Sequence, residues 1–304
     1  MKTPRKIRKV FKSKPVIEGA GVHLKRALGF SEVPLFDPFL LLDDFRSGNP
    51  EHYLKGFPWH PHRGIETITY VLRGDVEHGD SMGNKGDITS GDVQWMTAGS
   101  GIIHQEMPKG DADGNMEGFQ LWANLPASKK MMDPRYRDVK ADQIPQARLD
   151  NGTEIKIICG QVGETLGPVR DIVIDPEYLD VSVPAQTTYL HPTKPGRTVF
   201  VYIIGGKGYF CEEKKPFSYE AEGINYFDMQ RDPLLDNETL VLFGDGDHVL
   251  VKTENDAVRF LLIAGKPIQE PVAWQGPIVM NTQEELRIAF DEYRRGTFVK
   301  HKKG

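Results

Sequence analysis

An all-β fold built from two tandem barrels is what this sequence predicts, and three observations predict it. Runs of β-branched and aromatic residues recur between Gly, Pro and Asp, as in Ile65-Glu-Thr-Ile-Thr-Tyr-Val-Leu72, Glu154-Ile-Lys-Ile-Ile158, Thr198-Val-Phe-Val-Tyr-Ile-Ile204 and Arg259-Phe-Leu-Leu-Ile263. Short strands with frequent turn signals favour a sandwich or barrel over alternating βαβ units. The chain also repeats itself weakly. Thr69-Tyr-Val-Leu-Arg-Gly74 matches Val201-Tyr-Ile-Ile-Gly-Gly206, and Gly91-Asp-Val-Gln-Trp-Met96 matches Gly246-Asp-His-Val-Leu-Val251. The two offsets differ, so the second copy carries a longer connection between its signature strands. Finally, 304 residues are enough for two domains that each bury a core.

Taken in order, the chain opens on a basic stretch, Met1-Lys-Thr-Pro-Arg-Lys-Ile-Arg-Lys-Val-Phe-Lys12, with no apolar segment behind it. It is therefore no secretory signal and reads as a solvated surface arm. The first barrel is expected over 1–138. The polar stretch Asp138 to Asp150, which ends in the turn signal Asp150-Asn-Gly152, marks the boundary. The second barrel is expected over 150–304 and closes on a helix. Thr282-Gln-Glu-Glu285 forms a capping box there, followed by the apolar stripe Leu286, Ala289, Phe290 and Tyr293, which must dock on a barrel.

Composition narrows the function classes. A hydrophobic content of 39% with no run near the ~18 apolar residues of a membrane span argues against a membrane protein. A net charge of −5 gives no global field that favours nucleic acid. Cys159 and Cys211 make no disulfide framework, read as small buried hydrophobes and suggest a reducing compartment, the cytoplasm.

The chemistry concentrates in His60-Pro-His62 and His104-Gln-Glu106. Alternate residues of a strand share a face, so each segment presents two ligand-type groups to one side. Two such strands facing one another offer three imidazoles and a carboxylate, a mononuclear transition-metal site with positions left open. Glu66 shares strand parity with His60 and His62, so spacing alone does not decide between Glu66 and Glu106. Gly99-Ser-Gly101 ahead of His104 allows a tight turn. Phe57, Trp59, Met96 and Met107 are candidate walls of a pocket for a planar organic substrate, and Trp95 and Trp122 are expected in the barrel core. His52 and His78 fall outside the ligand pattern and are assigned to the surface. Carried onto the second copy, the ligand positions hold Pro192, Lys194, Arg259 and Leu261, so the second barrel is expected to be metal-free; its lone His191 and His248 have no partner at ligand spacing.

The stretch from Gly56 to Gly74, then Gly91 to His104, resembles the two cupin signatures, and the chain as a whole is similar to the pirin family. The resemblance lies in Asp37-Pro-Phe-Leu-Leu-Leu-Asp-Asp-Phe45, Phe57-Pro-Trp-His-Pro-His-Arg-Gly64, Gly91 through Pro108, Gln120-Leu-Trp-Ala-Asn-Leu125 and Gly276-Pro-Ile-Val-Met-Asn-Thr282. It implies two jelly-roll cupin barrels, with one Fe(II) per chain in the first and none in the second. Mn, Co, Ni, Cu or Zn would also suit the donor set. The resemblance further implies His60, His62, His104 and Glu106 as ligands, Glu106 as catalytic base, and Glu66 as an outer group orienting a histidine.

Two functions follow from the same resemblance. One is a quercetin 2,3-dioxygenase that cleaves a small planar flavonol with O2. The other is a non-enzymatic, iron- or redox-responsive regulator that works through a protein partner. Neither function calls for direct contact with nucleic acid or membrane. An open pocket above the metal favours the enzyme.

Overall fold

The computed structural model describes residues 3–212, 218–222 and 233–301. Apart from the helix Gln283–Arg294 and short 3-10 turns, the described regular structure is β. Among the described residues no helix is long and apolar enough to cross a membrane.

The chain forms two compact units that exchange their ends. One unit comprises 14–141 with 268–304, and the other comprises 1–13 with 142–267. The bounds expected from sequence, 1–138 and 150–304, differ from these at both termini. The basic N-terminus is no solvated arm: Ile7–Lys12 pairs antiparallel with Thr239–Phe243, and Ile7 and Val10 join the core of that unit. Its apolar residues face inward while the basic residues beside them take the outer face. Arg5, 1% exposed, donates to the carbonyl oxygens of Gly244 (2.7 Å) and Lys194 (2.9 Å).

In the unit of 14–141 and 268–304 a seven-stranded sheet runs in the order Arg135–Val139, Val93–Thr97, Ile65–Arg73, Glu117–Asn124, Phe39–Asp44, Val22–Leu28, Lys14–Glu18. A four-stranded sheet runs Phe57–His62, Ile102–Pro108, Val76–Asp80, Lys85–Ile88. Phe57–His62 is an edge strand, which explains how it accommodates Pro58 and Pro61 without losing ladder hydrogen bonds. The closing helix has the expected capping box, with Thr282 Oγ1 accepting from the Glu285 amide. It docks in this unit and not in the second barrel: Leu286 and Ala289 pack with Ile278, Met280 and Phe298, and Ile103 lies against the same cluster. Tyr293 of the predicted stripe is 39% exposed.

The other unit carries a sheet in the order Gln146–Arg148, Glu154–Cys159, Glu177–Val183, Val258–Gly265, Thr198–Gly208, Thr239–Phe243, Ile7–Lys12, Glu220–Glu222. Here the internal repeat misplaces one strand. Val93–Thr97 lies beside Ile65–Arg73, but Thr239–Phe243, and not His248–Lys252, lies beside Thr198–Gly208. His248–Lys252 instead pairs with Thr188–Pro192, as Ile102–Pro108 pairs with Phe57–His62. A Gly-Asp turn precedes two different strands, and the sequence match followed the turn. Arg259 and Leu261 are therefore not the counterparts of His104 and Glu106. His191 is buried, with Nδ1 2.8 Å from the Tyr189 hydroxyl and Nε2 3.1 Å from Glu177. His248 Nδ1 lies 2.7 Å from Asp247. Cys159 and Cys211 are both buried.

Candidate metal centre and its cavity

The site is assembled by two turns locked to one another. Gly64 follows His62 at φ 80°, and Gly99 precedes the His104 strand at φ 51°, both in the left-handed region that favours glycine. The Gly64 amide donates to the Gly99 carbonyl at 2.9 Å. Arg63, 1% exposed, reaches past the turn so that Nε donates to Ser100 O (2.7 Å) and NH2 to Phe298 O (2.9 Å), with its guanidinium 4.2 Å from the Phe298 ring centroid. Lys130 Nζ, also buried, donates to Gly64 O, Asn124 Oδ1 and Val279 O. The antiparallel register that results sets His104 opposite His60 and Ile102 opposite His62.

The ligand nitrogens of His60, His62 and His104 all lie within 4.8 Å of one another, and among the described residues these form the one group of three or more such side chains able to hold a metal ion. Their ring centroids are 4.4 to 5.0 Å apart. His60 Nδ1 faces the Pro58 carbonyl at 2.9 Å and His62 Nδ1 faces the Pro277 carbonyl at 3.1 Å. A carbonyl only accepts, so each Nδ1 carries its proton and each Nε2 keeps its lone pair. Those two Nε2 atoms are 3.1 Å apart. Two lone pairs so close repel, and a cation between them removes the repulsion. His104 is 1% exposed and neither ring nitrogen has a protein partner. Burial, and then the neighbouring imidazoles, hold His62 and His104 well below the ordinary histidine range, so both are neutral at neutral pH, the form that binds metal. Orphaned nitrogens converging on one point are a donor set that fits a transition metal.

Glu106 stands apart from that group. Thr69 Oγ1 donates to its Oε1 (2.9 Å) and Gln120 Nε2 to its Oε2 (2.8 Å), while the strand register shifts between His104 and Glu106. Glu66 does not orient a histidine. Its Oε1 accepts from Thr97 Oγ1 at 2.6 Å, and burial pushes its carboxyl up. The orienting task falls instead to the carbonyls of Pro58 and Pro277. His78 is 4% exposed and not at the surface; its ring stacks on Tyr136 with centroids 5.9 Å apart.

A cavity of about 590 Å³ opens beside the histidines, with His60, His62, Thr69, Glu106 and Gln120 in its wall. Of the four expected wall residues only Phe57 lines it. Met96 is fully buried in a core cluster, Trp59 is 51% exposed and turned away from the cavity, and Met107 packs against Gly56. Trp122 and Trp274 supply the aromatic wall, with the Trp122 ring edge-on to His62 at 5.1 Å. Gln120 could have been found in sequence from strand parity with Trp122, whereas Thr69, of opposite parity to Glu66, is identified only by its pairing with Gln120 across the two strands. Trp274 had no local signal, because it arrives with the 268–304 segment.

Comparison with known proteins places this architecture. Residues 21–123 match the family model Pirin, and residues 178–299 match the Pirin C-terminal cupin domain. The chain belongs to the pirin family. It is 42% identical to the "Pirin-like protein" of Caulobacter vibrioides over 97% of this chain and 99% of that one. It is 37% identical to a Pseudomonas aeruginosa protein named "Putative quercetin 2,3-dioxygenase", over 94% and 95% of the two chains. The crystal structure titled quercetin 2,3-dioxygenase from Acinetobacter baumannii superposes with a TM-score of 0.83 at 28% identity, covering 97% of this pirin and 99% of that chain. Both units of this pirin are cupin domains.

Proposed function

We propose that this pirin is a metal-dependent dioxygenase that opens the heterocycle of a flavonol such as quercetin with O2, releasing carbon monoxide and a ring-opened ester. One observation carries the reading: the imidazoles of His60 and His62 and the carboxylate of Glu106 share a cavity wall with Phe57, Trp122 and Trp274. Ligand-type groups, a base and flat aromatic faces converge on one space large enough for a flavonol. The names carried by the Pseudomonas and Acinetobacter relatives support the same chemistry.

In this reading His60, His62 and His104 hold one Fe(II) in the first barrel, with Glu106 as fourth ligand. Mn, Co, Ni, Cu and Zn remain compatible with the donor set. When bound, the metal supplies Lewis-acid polarisation of the flavonol oxygens and an electron partner for O2. Everything else falls to the chain. The carbonyls of Pro58 and Pro277 keep the two imidazoles in one tautomer. Trp122 and Trp274 hold the ring plane and exclude water. A carboxylate oxygen of Glu106 accepts the proton of the flavonol 3-hydroxyl, as a positioned general base.

Aerobic incubation of iron-loaded protein with quercetin tests this. Flavonol absorbance should disappear with release of carbon monoxide, and Glu106→Gln should lose far more turnover than metal. If Fe, Mn, Co, Ni and Cu forms are all inert toward flavonols while a protein partner binds one iron oxidation state only, the regulator takes the enzyme's place.

A further inference from the structure

The carboxylate of Glu106 is the one member of the proposed ligand set that does not point at the common centre. His104 and Glu106 sit two residues apart on one strand, and the irregularity in register between them turns Glu106 toward the strand Glu117–Asn124. There it meets a platform built from two paired strands. Thr69 lies directly opposite Gln120 in the antiparallel register, and both face Glu106. The amide of Gln120 has only one workable orientation. Its Oε1 accepts from Trp122 Nε1 at 3.0 Å, which leaves Nε2 to donate to Glu106 Oε2 at 2.8 Å, with a longer contact of 3.4 Å to Thr69 Oγ1. Reversing the amide would set an oxygen against the carboxylate and an NH2 against the indole N–H, so Trp122 fixes which group Glu106 meets.

We propose that Gln120, locked by Trp122 and aided by Thr69, is a positioning residue that parks Glu106 away from the three imidazoles, so that a metal must compete with this platform for the carboxylate. The proposal rests on the reading of Glu106 as a metal ligand. Both donors are neutral and the acceptor is charged, which makes these bonds stronger than neutral–neutral ones. A carboxylate drawn to the ion has to stretch or release at least one of them. The platform therefore lowers metal affinity and keeps a carboxylate in the cavity wall, beside the space a substrate would fill. Gln120 and Thr69 touch neither the ion nor the reacting atoms in this arrangement; they act through Glu106 alone.

Metal affinity of the full-length protein tests the idea without any turnover assay. Co(II) is titrated in competition with a chromophoric chelator, and the visible absorption of the bound Co(II) reports its coordination. Gln120→Met conserves volume and removes the donor; it should tighten Co(II) binding about ten-fold, the effect one charge-assisted hydrogen bond can supply. Thr69→Val, close to isosteric, should tighten it in the same direction and serves if the Gln120 variant folds poorly. In a Glu106→Gln background neither change should move the affinity. Weaker binding by Gln120→Met would overturn the proposal, because the amide would then be supporting the ligand and not restraining it. Unchanged binding would overturn it too, as would an effect that persists without Glu106. If Glu106→Gln itself leaves Co(II) affinity and spectrum untouched, the ligand reading is what fails, and the parking proposal falls with it.

Discussion

Arg63 holds the two motif turns together, and its replacement has a calculable cost. Changing Arg63 to Met keeps most of the aliphatic stem and removes the guanidinium. Ser100 O and Phe298 O, both in buried residues, then lose their donor. Each orphaned carbonyl costs about 1–3 kcal/mol. The stacking on Phe298 at 4.2 Å adds roughly 1 kcal/mol. The pair with Glu292 adds to the loss, since the Oε2 that meets Arg63 at 2.8 Å is itself buried, while Lys300 continues to hold the other oxygen. Against these losses stands relief from burying a charge, the desolvation that already lowers the Arg63 pKa. The net expectation is a destabilisation of about 3 kcal/mol in the unit that carries the site. Guanidinium chloride unfolding followed by Trp fluorescence reads it, since Trp95 and Trp122 are both in that unit. Metal affinity should fall as well, because the His62 and His104 turns lose their shared clamp. An Arg63→Met protein that unfolds within about 0.5 kcal/mol of the parent, the range of ordinary surface substitutions, would refute the reasoning.

Two further outcomes follow from buried charges. Burial pushes Lys130 down to about 7, against the distant pull of Glu270 and Glu285. Between that value and the unfolded lysine near 10.5 the unfolded chain binds more protons, so stability should rise with pH across this window and level off below pH 7. The slope should be no steeper than about 1.4 kcal/mol per pH unit, and denaturation midpoints of Lys130→Met taken at several pH values should lack it. Glu66→Gln should retain most of the bound metal, since Glu66 meets Thr97 and not an imidazole; metal loss matching that of a histidine variant would reverse this assignment.

What the sequence revealed, and what it hid, follows the range of the interactions involved. His-x-His and His-x-Glu were readable because strand parity is local, and the capping box at Thr282 because it spans a single turn. The exchange of termini was not readable. Ile7–Lys12 pairs with a strand more than two hundred residues away, and neither sequence contains a sign of the other. The same non-local event brought Trp274 to the cavity and the closing helix to the first barrel. The repeat identified two related barrels but followed a Gly-Asp turn to the wrong strand, since turn chemistry is shared by strands with different neighbours. His78 was missed because a polar residue at an inward strand position reads as surface until the ring it stacks on, Tyr136, is known. Glu106 shows the limit of parity itself. The face was predicted, but a register shift and the Thr69 and Gln120 donors decide where its carboxylate points.

The central claim is that one metal ion is held by His60, His62 and His104. Elemental analysis of the purified protein after reconstitution with Fe(II), set beside His104→Ala treated identically, tests it most directly. The account predicts about one equivalent per chain in the parent and essentially none in the variant, with the variant still folded, because each barrel has its own hydrophobic core and does not need the ion to fold. A full equivalent surviving in His104→Ala, or in the triple variant of His60, His62 and His104, would contradict it.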